Sequence, residues 1–269
     1  MRKILGISIL TLILSACEVA ERKPLQIVFT NDSHSAVDAI GGMGGFEARA
    51  ALFDSLRATN PNTIILDAGD MWQGSPYFNL YHGRVEVETY NLMGYDAAIL
   101  GNHEFDFGID TLAARIDEMK FPIVCANYHF GTTPLAERVM PCAVIEREGW
   151  KVGVIGVSVN PYTLIIQDNW EGITYYDPVG VVNHYASTLR AKGCNLIIVL
   201  SHLGLTDDSD LGNTADDKLA TLSECVDLIL GGHTHQLQGV YKYANAAADS
   251  VTVIQDAKSG LAFYSITIR

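Results

Sequence analysis

The sequence predicts an α/β protein, and three observations carry that prediction. Short apolar runs rich in β-branched residues (LQIVFT, TIILD, DAAIL, LIIVL and DLIL) have the length of buried strands. Helix-like segments alternate with these runs early and late in the chain. Antiparallel-looking strands stand in the middle and at the end, which points to two sheets flanked by helices.

Taken in order, LQIVFT forms a strand over 25–30, and the glycine-dense stretch 41–45 is a loop leading into a helix over about 46–59. A strand at 63–67, a helix at about 83–93, a strand at 97–100, a helix at about 109–119 and a strand at 122–125 follow. A hairpin-like pair spans 141–157. Then come a helix at about 179–192, a strand at 195–200, a helix at about 215–224 and a strand at 226–230. Closing strands lie near 251–256 and 261–268. No linker, low-complexity tract or internal repeat interrupts 25–269, so the expectation is one domain with a full core.

The start of the chain is read separately. Arg2 and Lys3 precede an apolar stretch from Ile4 to Leu14, too short to span a bilayer and right for a secretory signal. Leu14-Ser15-Ala16-Cys17 resembles the lipobox of bacterial lipoproteins. The expectation is a signal peptide over 1–16, lipidation at Cys17 and a tether over 17–24, which places the protein in the bacterial cell envelope, anchored to the membrane. An ordinary signal peptide with an incidental Cys is the alternative. A formal charge of −13 argues against gripping a nucleic-acid polymer. It leaves a small phosphorylated substrate open, because bound divalent ions reverse the local potential. Cys125, Cys142, Cys194 and Cys225 lack close CxxC spacing. Cys194 and Cys225 each stand just before a strand and are either neighbours at a sheet edge or buried free thiols.

Each apolar run ends in a polar cluster: Asp32-Ser33-His34, Gly69-Asp70, Gly101-Asn102-His103-Glu104-Phe105-Asp106, Ser201-His202 and Gly231-Gly232-His233-Thr234-His235. Ligands of α/β sheets bind at the carboxyl ends of strands. Asp, Asn and His gathered there are the donors that hold catalytic divalent metals. Any one cluster has an ordinary explanation as a turn, a cap or a satisfied histidine. Five strand ends with such residues in one domain do not, and together they read as a two-metal site. Asp106, three residues beyond His103, can accept the imidazole N–H. His82, His129 and His184 match no cluster and are read as non-ligands, and Arg49, after the glycine loop, as surface or structural.

These clusters, in this order and spacing, resemble the calcineurin-like metallophosphoesterases. Thr30-Asn31-Asp32-x-His34, Gly69-Asp70-x-x-Gln73-Gly74-Ser75 and Gly101-Asn102-His103-Glu104-Phe105-Asp106 resemble the 5′-nucleotidase branch. The resemblance implies a four-layer αββα sandwich. It implies one metal on Asp32, His34, Asp70 and His235 and a second on Asp70, Asn102, His202 and His233, with Zn, Mn, Fe or Co all suited. It implies His103 and Asp106 as the catalytic pair acting on the phosphoryl group, and two ions that activate a water for in-line attack on phosphorus. Ser35 stands where the family usually has Gly, so a minor local change is expected.

Members of the 5′-nucleotidase branch usually carry a second, carboxy-terminal domain that clamps the base. The chain ends at Arg269, after what reads as the last strand of the catalytic domain. The leading expectation is a phosphoester hydrolase acting on nucleotides, alone or with a separate nucleotide-binding protein. Alternatives are a phosphodiesterase on cyclic nucleotides or nucleotide sugars, and a metal-binding envelope subunit with little turnover alone.

Overall fold

The computed structural model describes residues 22–206, 214–236 and 239–269; Cys17 and the expected signal peptide lie outside them. The first half runs β1 (Leu25–Thr30), α1 (Phe46–Thr59), β2 (Thr63–Asp67), α2 (Pro76–Tyr81), α3 (Arg84–Met93), β3 (Ala97–Ile99), α4 (Gly108–Glu118), β4 (Ile123–Val124), β5 (Tyr128–His129) and β6 (Val139–Met140). The second runs β7 (Cys142–Arg147), β8 (Trp150–Ser158), β9 (Thr174–Tyr175), α5 (Pro178–Ala191), β10 (Leu196–His202), α6 (Asp216–Leu222), β11 (Leu228–Gly231), β12 (Gly239–Ala244), β13 (Ser250–Gln255) and β14 (Ser265–Ile268).

Twelve of the described strands build two six-stranded sheets, and β5 and β9 pair antiparallel in a two-stranded one. One six-stranded sheet has the order β14-β1-β2-β3-β4-β6, parallel except at β14. The other has the order β12-β13-β11-β10-β8-β7, with four parallel inner strands and an antiparallel strand at each edge. Side chains alternate across each strand with a period of two. Ile27, Phe29, Ile64 and Leu66 therefore meet Leu196, Ile198, Leu200 and Leu230 between the sheets. Val28 and Ile65 face outward onto α1, α3 and α4, and Ile197, Val199 and Ile229 onto α5 and α6. The strands are apolar on both faces because both faces are covered. The result is the αββα sandwich.

The strands differ from expectation mainly at the edges. Strand β12 is an addition to the expected elements: its alternating exposure belongs to an edge strand, whose outward residues make GVYKYA look like loop. The short strands β5, β6 and β9 are further additions, as is α2, a short helix started by Ser75, whose hydroxyl accepts from Tyr77 N, and by Pro76. The closing strand is shorter than 261–268, because a turn over Lys258–Gly260 precedes it. Part of the expected tether is docked, not free. Trp150 donates its indole N–H to Lys23 O at 2.8 Å, and Asn62 donates to Pro24 O at 3.2 Å. Cys125, Cys142, Cys194 and Cys225 are free thiols, so Cys194 and Cys225 are not joined. Among the described residues no helix is long and apolar enough to cross a membrane.

Candidate metal centre

All five clusters converge on one edge of the sandwich. Asp32 and His34 follow β1, Asp70 follows β2, Asn102 follows β3, His202 ends β10, and His233 and His235 follow β11. Both sheets contribute, so the centre forms only when they stack. Asp32, His34, Asp70 and His235 bring one ligand atom each to within 4.8 Å of one another; Asp70, His202 and His233 do the same, and Asp70 is common to both groups.

The atoms within these groups are arranged for cations. His34 Nε2 and His235 Nε2 face each other at 2.7 Å, and His235 Nε2 lies 3.3 Å from Asp32 Oδ1. His202 Nε2 lies 3.0 Å from Asp70 Oδ2, and His34 Nε2 lies 4.0 Å from that oxygen. The Asn102 amide oxygen is buried without a hydrogen-bond partner, an orphan acceptor of the kind an ion satisfies. Two carboxylates, an amide oxygen and imidazoles suit Zn, Mn, Fe or Co. The donor set fits divalent metal.

Outer contacts orient these groups. His202 Nδ1 is 2.7 Å from Ala68 O, which fixes the tautomer and leaves Nε2 facing inward. The backbone N–H of His103 donates to Asp70 Oδ1 at 2.9 Å, and that of His233 to Asp32 Oδ2 at 2.9 Å. Two glycines make room: a Cβ at Gly101 would collide with Asp70 Oδ1 and His202 Nε2, and one at Gly232 would lie 3.0 Å from Asp32 Oδ2. Burial works against charge on Asp70, yet His202, His103 and His34 hold its carboxyl below the usual carboxylate range. Burial also opposes charge on His202, but the neighbouring Asp70 and Asp32 carboxylates raise its pKa to about 10. Burial and the neighbouring His202 lower His233 to about 4, leaving its lone pair available.

His103 and Asp106 stand at the mouth. His103 Nδ1 is 3.0 Å from Asp106 Oδ2, and the two side chains are 30% and 36% exposed. The His103 ring lies 5.3 Å from that of His34. Burial disfavours its charge, but Asp106 and Asp70 outweigh this and raise its pKa. His82 packs on Phe107, and His129 and His184 line a separate cleft of about 510 Å³.

Several residues without an assigned role support the centre. Glu104 is fully buried and accepts backbone N–H groups from Gly101 (2.6 Å), Asp70 (3.0 Å), Met71 (2.9 Å) and Trp72 (3.3 Å). It ties the Asp70 loop to the Asn102 loop, although burial and the Asp70 carboxylate push its own carboxyl up to about 8. Arg49 is only 1% exposed, which removes the surface alternative, and donates to Ser33 Oγ at 2.8 Å. Ser35, at φ 51°, places its hydroxyl between Glu86 and Ser75. Glu104 sits in the cluster with Gly101 and Ser35 follows His34, so both had a sequence signal, whereas Arg49 comes from a distant segment.

The sequence profile of the calcineurin-like phosphoesterases matches residues 25–237. The chain belongs to the calcineurin-like phosphoesterase family. It is 33% identical over 226 residues to a snake venom 5′-nucleotidase of Naja atra, covering 78% of this chain and 41% of that protein. It is 33% identical over 231 residues to an apyrase of Tabanus yao, covering 79% and 39%. The crystal structure of a 5′-nucleotidase precursor from Thermus thermophilus superposes with a TM-score of 0.81 at 31% identity, covering 91% of this chain and 54% of that one. The chain thus spans about two-fifths of those two curated relatives and half of that solved one. The chain carries its candidate ligands within a fold whose family uses divalent metals.

Proposed function

We propose that this chain is a dinuclear-metal phosphoester hydrolase releasing phosphate from nucleotides. The observation that carries the reading is the pair of ligand groups sharing buried Asp70, with His103, a member of neither group, beside them. One ion would rest on Asp32, His34, Asp70 and His235, the other on Asp70, Asn102, His202 and His233. Such ions supply Lewis acidity toward phosphoryl oxygens and toward a water nucleophile. His103, held through Nδ1 by Asp106, keeps a proton on Nε2 for a phosphoryl oxygen or the departing alkoxide. The relatives named 5′-nucleotidase and apyrase favour nucleotides as the substrate class. Base recognition is proposed to come from outside these residues, including from a separate nucleotide-binding polypeptide.

We also propose export to the bacterial envelope and lipid attachment at Cys17. Strand β1 runs from the docked 22–24 segment toward Asp32, so the centre lies at the opposite end of β1 from that segment. An anchored molecule would hold its mouth away from the membrane. Metal analysis after loading with Mn²⁺ or Zn²⁺ should return two ions per chain, and one or none would refute the dinuclear reading. A hydrolysis screen over nucleoside monophosphates, cyclic nucleotides and nucleotide sugars, read by inorganic phosphate for the monoesters and by chromatography of the nucleotide products for the diesters, tests the substrate class. Cleavage of the diesters with no phosphate released from the monophosphates would overturn it. Membrane fractionation of Cys17→Ala tests the anchor: the variant should move to the soluble fraction.

A further inference from the structure

The candidate ligands occupy costly backbone. Asp32, His34, Asp70, His233 and His235 all have positive φ, from 45° to 78°. Asp and His tolerate this region better than most residues, but it persists only where the surroundings over-determine it. Two of the three segments involved have the form ligand–x–ligand: Asp32-Ser33-His34 and His233-Thr234-His235. In both, the middle side chain is held by a buried polar residue from another element.

Ser33 is fully buried, and its Oγ accepts from Arg49 Nη1 of α1 at 2.8 Å. The same oxygen lies 2.8 Å from Tyr90 Oη of α3, itself 3.0 Å from the Asp67 carboxylate. On the second sheet Thr234 donates Oγ1–H to Gln255 Oε1 at 3.1 Å. Gln255, 1% exposed at the end of β13, donates Nε2–H to Gly232 O at 3.1 Å and to Asp216 Oδ2 at 3.4 Å. One bond at the middle of such a turn restrains the ligands on both sides of it.

We infer that Ser33 and Thr234 are positioning residues for the metal centre, their hydroxyls held by Arg49 and Gln255. The inference rests on the metal reading above and extends it to residues that touch no ion. The two arms differ in reach. Ser33 lies between two ligands of one group, whereas Thr234 lies between His233 of one group and His235 of the other. Loss of the Ser33 hydroxyl should therefore weaken one site, and loss of the Thr234 hydroxyl both.

The test is Mn²⁺ affinity of the full chain, by titration against a competing chelator, with melting of the metal-free protein recorded alongside. Ser33→Ala should lose about 10–100-fold in affinity at one site and less than about threefold at the other, the range for outer-shell substitutions. Thr234→Val should weaken both sites, and Thr234→Ser should return both to within about threefold of wild type. Variants that melt lower yet bind both ions like wild type would overturn the inference, since that is what a purely structural role produces. If Ser33→Ala fails to fold, the Thr234→Val and Thr234→Ser pair decides alone. A wild-type chain that takes up no Mn²⁺ would overturn the metal reading itself, a result separable from wild-type-like binding in the variants.

Discussion

Replacing Ser35 by Gly tests the position after His34 where a minor local change is expected. Ser35 is fully buried at φ 51°, so glycine relieves a left-handed strain of about 1–2 kcal/mol. Much of that gain is returned, because glycine frees the unfolded chain by about 0.4–1 kcal/mol. Against the remainder stands the hydroxyl, which donates to Glu86 and lies 2.5 Å from Ser75 Oγ. A hydrogen bond to a charged group is worth about 1.5–3 kcal/mol, and a neutral one about 0.5–1.5. Glu86 is also fully buried, and its second oxygen has no hydrogen-bond partner, so the variant leaves this carboxyl with less support than before. Burial already raises the Glu86 pKa and Ser35 lowers it, so losing the hydroxyl drives it higher. The lost bonds win, and Ser35→Gly should be less stable by about 2 kcal/mol, a fall of about 4–8 °C in melting temperature for a domain of this size. The assay is urea unfolding of metal-free protein, in a double-mutant cycle with Glu86→Gln. A coupling of about 1–2 kcal/mol is expected. Melting at or above the wild-type temperature, or zero coupling, would refute the reasoning.

Glu104→Ala strips the acceptor from four buried backbone N–H groups, each costing about 1–3 kcal/mol unpaired and partly offset by removing a buried carboxyl. It should unfold at markedly lower urea, and an unchanged midpoint would contradict its bridging role. His103→Ala should retain both metals and lose about 10²–10⁴ in turnover, because the imidazole stabilises charge without ligating. Loss of metal in that variant would show the role to be wrong. Asp216 is buried against Ser201 and Gln255, and burial pushes its carboxyl up to about 7. Its folded pKa exceeds the unfolded value of about 3.9, so the folded state binds the extra proton between these values. Its contribution is most favourable below pH about 4, declines as pH rises to about 7, and is flat beyond, a total of about 4 kcal/mol. Asp216→Asn should flatten that slope in urea unfolding with chelator present; an identical slope would refute the assignment.

Much of this protein is legible in its sequence because its strands are parallel and buried on both faces. Apolar runs such as TIILD and LIIVL announce themselves without any partner in view. The candidate ligands are equally legible, since each follows such a run and ligand sites form at strand ends. Edge elements are not: β12 is half exposed, and its pattern acquires meaning only beside β13. Nor is the convergence itself a property of any segment. Asp32 and His235 are brought to 3.3 Å by the stacking of two sheets. The same holds for what surrounds the ligands. Arg49 reads as an ordinary helix residue until α1 packs on β1 and buries it against Ser33. Gln255 and Glu104 likewise become supports only through loops that approach from elsewhere in the chain. The sequence by itself determined which side chains the centre has available, since residue type and strand-end position are local properties. Only the tertiary structure decided how they are held, since left-handed turns and buried charges persist through partners that are distant in sequence.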